Sequence, residues 1–192
     1  SICPIFFVGL MEDITQKISI KLRLIASIVS SLLLVNLTGS VIVSLFIPII
    51  NIEISSYFFL MCFTVFGFVA ICNAFNFLDG LNGLTSGISF VIFLFFSYFA
   101  QLSGKLELFY LSLIFASSVL AFWIVNVFTG KIFLGDTGAY CLGFLIGWCG
   151  VELTIDNEFM SPWAIFLMII YPALELIFST VRRLMNKSSP LK

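Results

Sequence analysis

"YFFLMCFTVFGFVAICNAFNFLDGLNGL", Tyr57 to Leu84, opens on sixteen uncharged, mostly apolar residues and closes, from Asn73, on three asparagines, an aspartate and two glycines. The apolar part shows no alternation. It approaches the ~20 residues a helix needs to cross a bilayer, and lipid leaves a chain of this kind no alternative to helix because every backbone polar group must be satisfied internally. The polar close then raises a second question, since lipid-facing sequence has no use for it.

The rest of the chain reads the same way. Its 192 residues are 61% hydrophobic, 17% aromatic and 10% charged, with a mean hydropathy of +1.19. Soluble domains carry roughly 25% charged residues, so this chain lacks the surface for solubility. A net charge of −1 says nothing about a nucleic-acid partner, and no basic run or tail supports one. Five cysteines, odd in number and scattered through apolar segments, read as reduced packing residues; with no histidine, neither a disulfide framework nor a zinc site is expected.

Apolar runs predict helices near 22–45, 57–77, 84–102, 108–127, 138–153 and 162–184, after an N-terminal stub at 1–11. The fold class is therefore all-α: a polytopic membrane bundle of about six spans plus a partial one, in a single domain over 1–192. The fifth helix is rich in glycine (Gly138, Gly143, Gly147, Gly150), which suits close helix packing. Pro48 and Pro162 fall near segment ends, and Pro172 predicts a kink in the last helix. No internal repeat is evident. "SICPIFFVGL" has neither an initiator Met nor a charged leader region, so it is no signal peptide and reads as the tail of a helix already crossing the membrane. "RRLMNKSSPLK" breaks off in a polar stretch, and both ends suggest an internal fragment of a larger protein.

Charge orients the bundle. With the loop after the stub inside, Lys17, Lys21, Arg23, Lys131, Arg182, Arg183, Lys187 and Lys192 lie inside and only Lys105 lies outside, a split of eight to one that the positive-inside rule favours. Glu53, Glu107, Glu152, Asp156 and Glu158 then lie outside. Four acids, Glu12, Asp13, Asp79 and Asp136, fall in short inner connections, so the topology gathers them into one layer at the cytoplasmic surface.

Three segments build that layer. Asn73, Asn76, Asp79 and Asn82 recur every three residues as a drifting stripe along a helix end and its exit turn, where Gly80 and Gly83 relax the backbone. A polar helix cap is the plainer reading; it accounts for one or two such residues more easily than four. In "KIFLGDTGAY", Lys131–Tyr140, Gly135 and Gly138 flank Asp136 and Thr137. Small residues and a helix start admit a phosphate to backbone N–H groups, and an acid there can hold Mg²⁺; an ordinary N-cap by Asp136 or Thr137 is the alternative. In "GLMEDITQKISIKLRL", Glu12 and Asp13 follow a helix exit, and as neighbouring carboxylates they repel, a repulsion that metal binding relieves. Lys21 and Arg23 follow, as phosphate contacts or as membrane anchors. Asn126 adds an amide at the same level. Glu175, inside the last span, is a functional candidate or the partner of a structural hydrogen bond.

So placed, the motifs resemble those of the polyprenyl-phosphate N-acetylhexosamine-1-phosphate transferases, a glycosyltransferase family 4 type that includes undecaprenyl-phosphate GlcNAc-1-phosphate transferases. "NAFNFLDGLNGL" is similar to the family's Asn-rich DG motif, "FLGDTGAY" to its GDTGS-like motif, "GLMEDITQKISIK" to its acidic pair with a downstream lysine, and "RRLMNKSSP" to the basic start of its last large cytoplasmic loop. The resemblance covers essentially the whole chain. It implies transfer of a sugar 1-phosphate from a UDP-N-acetylhexosamine to undecaprenyl phosphate with release of UMP, starting a lipid-linked cell-envelope glycan. It also implies Mg²⁺ (Mn²⁺ as substitute), a bacterial inner membrane with a cytoplasmic active face, contact with membrane lipid, and a homodimer as a further expectation. By the same resemblance Asp136 is the principal metal ligand with Asp79 close by; Asp13 and Glu12, with Asp79, form the catalytic set; Lys21 contacts phosphate with Thr137 nearby; and Asn73, Asn76 and Asn126 line the nucleotide-sugar pocket.

This chain departs from the pattern in three ways. Glu12 stands where the commonest form has Asp, Asn82 replaces the second acid of DGxDG, and the family's His-rich motif is missing. The last implies that the fragment alone is inactive. A transporter with an interfacial acidic cation site is the competing class, although transporters place their sites near mid-membrane on repeats or broken helices.

Overall fold

Where the apolar runs are long and uninterrupted, the backbone closes its hydrogen bonds locally and forms helices. A computed structural model describes residues 1–43, 45–47, 52–157 and 160–185. Its elements are α1 (Cys3–Thr15), α2 (Ile20–Thr38), β1 (Leu45–Ile47), β2 (Ile52–Ile54), α3 (Tyr57–Leu78), α4 (Leu84–Leu102), α5 (Leu106–Thr129), α6 (Gly135–Thr154), α7 (Pro162–Met168) and α8 (Ile170–Met185). Pro48, Glu158, Lys187 and Lys192 lie outside the described residues. The protein is an all-α multi-pass membrane bundle. Four helices, α2 to α5, have the length and composition of spans, and α7 with α8 makes a fifth as a bent pair. Large side chains such as Phe58, Phe66, Phe95 and Ile114 face outward, which only a lipid environment permits on this scale.

α6 is the central element. Half of its 20 residues are buried, so protein rather than lipid solvates it, and it tolerates Asp136 and Glu152 at its two ends. Its glycines act as expected: an added Cβ would lie 2.8 Å from Cys72 Cα at Gly143, 2.8 Å from Phe68 at Gly147 and 2.7 Å from Ile165 at Gly150. Phe75, Phe93, Phe96, Ile146, Cys149 and Leu153 form the main core against this helix, and Ile5, Phe68, Tyr140 and Phe144 form a second cluster.

Three boundaries differ from the sequence expectation. α2 stops at Thr38 instead of running to 45. Gly39 takes a left-handed conformation (φ 72°) and closes the helix onto Val35 O, and the β-branched stretch beyond leads into an antiparallel hairpin pairing Leu45 with Ile54 and Ile47 with Ile52. α1 extends through Thr15, so Glu12 and Asp13 sit in its last turn, not in a loop. The last helix breaks by 68° at Ile169, ahead of Pro172. Pro172 has no N–H for the carbonyl of Met168 and its ring crowds that carbonyl, so the disruption falls one turn earlier.

The bundle has two polar ends. At one, Lys105 Nζ donates to the carbonyls of Glu152 (2.6 Å) and Ile155, while the Glu152 carboxylate accepts from Trp148 Nε1 (3.1 Å) and Ser40 Oγ. A cation thus closes the C-terminus of α6, as its dipole favours. The other end holds all four acids of the expected inner layer.

Candidate active site

That layer is organised by the first turn of α6. Gly135 opens the helix at φ 69°, and the preceding Leu134 supplies no side-chain cap. The cap comes from α1 instead. Asp13 Oδ1 accepts the Asp136 N–H (2.8 Å), and Oδ2 accepts both the N–H (3.0 Å) and the hydroxyl (2.5 Å) of Thr137. The amides expected to be open to a phosphate, or capped by Asp136 or Thr137 themselves, are therefore held by a carboxylate 123 residues away in sequence. α1 can come this close because Gly9 has no side chain: a Cβ there would lie 2.8 Å from Thr137 Cα.

Asp136 points from this turn to Arg23, whose Nη1 donates to Oδ2 at 2.5 Å. The same nitrogen lies 4.0 Å from Glu12 Oε1. The other Glu12 oxygen accepts the Ile18 N–H at 2.7 Å, which ties α1 to the start of α2. These side chains are only 18–26% exposed, so the charges interact more strongly than on an open surface. Tyr140, one turn along α6, adds its phenol beside the same guanidinium.

Asp79 caps the end of α3 and completes the layer. Burial pushes its carboxyl above the usual carboxylate range. The buried Thr85 hydroxyl, which falls short of a full hydrogen bond, opposes this; Asp136 and Asp13 push the carboxyl up further, and the Gly135 backbone N–H pulls it back. Asp136 and Glu12 thus flank the Arg23 guanidinium, and Asp13 and Asp79 lie beside the same first turn of α6. The donors are all oxygen, which is the chemistry of a hard divalent cation. Among the described residues no group of three or more His, Cys, Asp or Glu side chains is arranged to hold a metal, and Mg²⁺ does not require one, since it binds through one or two carboxylates with waters and substrate phosphates.

The structure brings Glu12, Asp13, Asp79, Asp136 and Thr137 together and distributes the other expected residues around them. Lys21 is exposed and makes no hydrogen bond or ion pair among the described residues; Arg23 takes the position beside the acids. Asn73 donates to Val69 O one turn back in its own helix (2.7 Å), and Asn76 is half-buried nearby. Asn126 is buried and donates to Ile132 O (2.6 Å), which folds the α5–α6 connection. Asn82 is exposed beyond the end of α3, near Gly130, so the stripe ends at Asp79. The last-span acid, Glu175, accepts from the Ser179 hydroxyl (3.3 Å). Thr85 and Tyr140 are site residues absent from the sequence expectation, and Arg23, expected as a phosphate contact or a membrane anchor, pairs with the acids instead. The Arg23 signal was present, but nothing in "KLR" distinguished it from Lys21.

The sequence is similar to those of known proteins. A sequence profile described as Glycosyl transferase family 4 matches residues 1–154. The chain is 32% identical over 187 residues (97% of this chain, 54% of the relative) to the undecaprenyl-phosphate alpha-N-acetylglucosaminyl 1-phosphate transferase of Thermotoga maritima. It is 28% identical over 184 residues (95% and 51%) to the probable undecaprenyl-phosphate N-acetylglucosaminyl 1-phosphate transferase of Bacillus subtilis. It is 30% identical over 145 residues (71% and 46%) to a phospho-N-acetylmuramoyl-pentapeptide-transferase of Clostridium perfringens. The chain spans about half the length of the curated relatives it matches.

Proposed function

The chain belongs to glycosyl transferase family 4, and from that premise we propose that it forms the membrane-embedded catalytic region of a sugar-phosphate transferase. The reaction moves N-acetylhexosamine 1-phosphate from a UDP-sugar to undecaprenyl phosphate. A lipid-phosphate oxygen bonds to the sugar-bearing phosphorus, the bond from that phosphorus to the bridging oxygen breaks, and the oxygen leaves with UMP. The observation that carries this reading is the convergence of Asp79, Asp136 and the Glu12–Asp13 pair on the first turn of α6, with Arg23 between Asp136 and Glu12, at one end of an apolar bundle. A prenyl phosphate reaches only that depth, and a nucleotide sugar arrives there from water.

Asp79 and Asp136 would hold Mg²⁺, or Mn²⁺ in its place, which when bound supplies positive charge against the reacting phosphates. The rest falls to the protein. Arg23 holds Asp136 in place and offers a guanidinium at the rim of the layer. Lys21, exposed and unpaired among the described residues, is available to an incoming phosphate. Asn73 and Asn76, in the last turns of α3, would meet the nucleotide sugar. An apolar cavity of about 500 Å³ between α3, α6, α7 and α8, lined by residues such as Phe63, Phe66, Ile71 and Phe166, suits a prenyl chain. The eight-to-one distribution of basic residues supports a cytoplasmic active face in a bacterial inner membrane. An interfacial cation carrier has no support, because the acids lie at one end of the bundle and not at its mid-depth.

The test is reconstitution of the full-length protein with undecaprenyl phosphate and a panel of UDP-N-acetylhexosamines, reading UMP release with Mg²⁺, with Mn²⁺ and with chelator. Release that needs a divalent cation and is lost in Asp136→Asn is the expected result; no release with any sugar would overturn the assignment.

A further inference from the structure

On the transferase reading, the acidic pair of α1 is assigned as a unit to chemistry on the lipid phosphate. The geometry divides it. We infer that Asp13 is a positioning residue: it builds the first turn of α6 and so aims Asp136, leaving Glu12 as the member of the pair free to meet substrate.

Both Asp13 oxygens are committed. Oδ2 is filled by the Thr137 N–H and hydroxyl, and Oδ1 holds the Asp136 N–H. α6 has no local cap to take over, since Leu134 offers none. The carboxylate also lies where a side chain at Gly135 would project, 2.8–3.0 Å from an added Cβ, so Gly135 leaves room for Asp13. On the far side, the Gly9–Thr137 approach fixes α1 against the same turn. Three donors from one turn of α6 thus fill three of the roughly four lone-pair positions of this carboxylate, leaving little of it open to substrate. Glu12 has no such burden, because only one of its oxygens accepts a hydrogen bond, from Ile18 N–H, and the other faces Arg23 at 4.0 Å.

The experiment uses the full-length protein in nanodiscs and compares Asp13→Asn, Asp13→Ala, Thr137→Val and the Asp13→Ala/Thr137→Val double variant. UMP release is followed against pH, and amide hydrogen exchange is followed over residues 134–140. Asn keeps the shape and an acceptor oxygen, so Asp13→Asn should lose about tenfold in rate while keeping the acidic limb of the parent pH profile and the protection of the α6 first turn. Asp13→Ala should lose about 100-fold, as a misplaced reacting group does, and should lose that protection. The double variant should be no worse than Asp13→Ala alone. Loss of the acidic limb in Asp13→Asn with exchange unchanged would overturn the inference and make Asp13 the base. A parent protein silent toward every UDP-N-acetylhexosamine would instead overturn the functional reading, and exchange in Asp13→Ala against Asp13→Asn would still decide whether Asp13 holds the turn.

Discussion

Replacing Gly143 by alanine perturbs the contact that sets the spacing of the two principal site carboxylates. An added Cβ would lie 2.8 Å from Cys72 Cα, 3.0 Å from Ile71 O and 3.2 Å from Cys72 N. Ordinary carbon contacts are ~3.5–4.0 Å, so α3 and α6 must separate by roughly 0.7–1.2 Å. All three neighbours are backbone atoms, and no rotamer can absorb the change. Asp136 lies seven residues before Gly143 and Asp79 seven residues after Cys72, so each stands about 10 Å along its helix from the crossing. The helices therefore carry the displacement into the site. Overpacking of this kind costs about 1–3 kcal/mol, which at 2–4 °C per kcal/mol for a chain of this size lowers Tm by roughly 2–12 °C. A carboxylate misplaced by ~1 Å costs about 100-fold in rate. Gly67→Ala, on the facing helix α3, is the control for melting. Nothing lies within 4 Å of its Cβ position, and alanine is the better helix former by ~0.8–1.0 kcal/mol, so that variant should melt at or above the parent. Melting in detergent micelles and initial rates of UMP release measure both effects. If Gly143→Ala melts within a degree of the parent, or Gly67→Ala falls as far as Gly143→Ala, the close approach does not hold the site.

Three further outcomes follow from the charges. Arg23→Met strips Asp136 and Glu12 of their counter-charge and should cost roughly 1–3 kcal/mol, discounted from a fully buried pair because the groups are partly exposed. Lys21→Met should change melting by less than ~0.5 kcal/mol, so equal losses in the two variants would contradict the placement of Arg23. The folded-state pKa of Asp79 is raised, so its contribution to stability is fully present below the ordinary value of ~3.9 and is lost as pH rises through the raised one. In chelator, Asp79→Asn should accordingly melt above the parent at neutral pH, with the advantage vanishing as pH falls toward about 4; a variant that melts lower at neutral pH would reverse the sign. Lys105→Met removes the cation from the C-terminal carbonyls of α6, worth up to ~2 kcal/mol in a partly buried setting. It should lower Tm without moving the pH profile of UMP release, since Lys105 lies at the opposite end of the bundle from the acids.

Much of this protein is legible along the chain. The apolar runs predict α4 at its observed bounds and α3 and α6 to within a few residues, because lipid allows such runs no structure but a helix. Basic residues at alternate connections predict that Glu12, Asp13, Asp79 and Asp136 share one end of the bundle. The glycines of α6 announce close packing. Helix ends read less well where a local device overrides the apolar signal, as Gly39 does at α2 and Pro172 does one turn ahead of itself.

Division of labour among polar neighbours is not legible in the same way. Lys21 and Arg23 stand two residues apart and so project about 200° apart around α2; only the position of α6 decides that Arg23 faces the acids. Asp13 and Asp136 are equally acidic as sequence. Their difference arises because α1 meets the start of α6 at Gly9, close enough for Asp13 to take that helix's free amides while Asp136 turns toward Arg23. Composition and run length determine that the chain is a membrane bundle with an acidic layer, since hydration and lipid solvation act on each segment by itself. Which carboxylate holds the scaffold and which faces the substrate depends on the approach of helices far apart in sequence, and tertiary packing alone decides that.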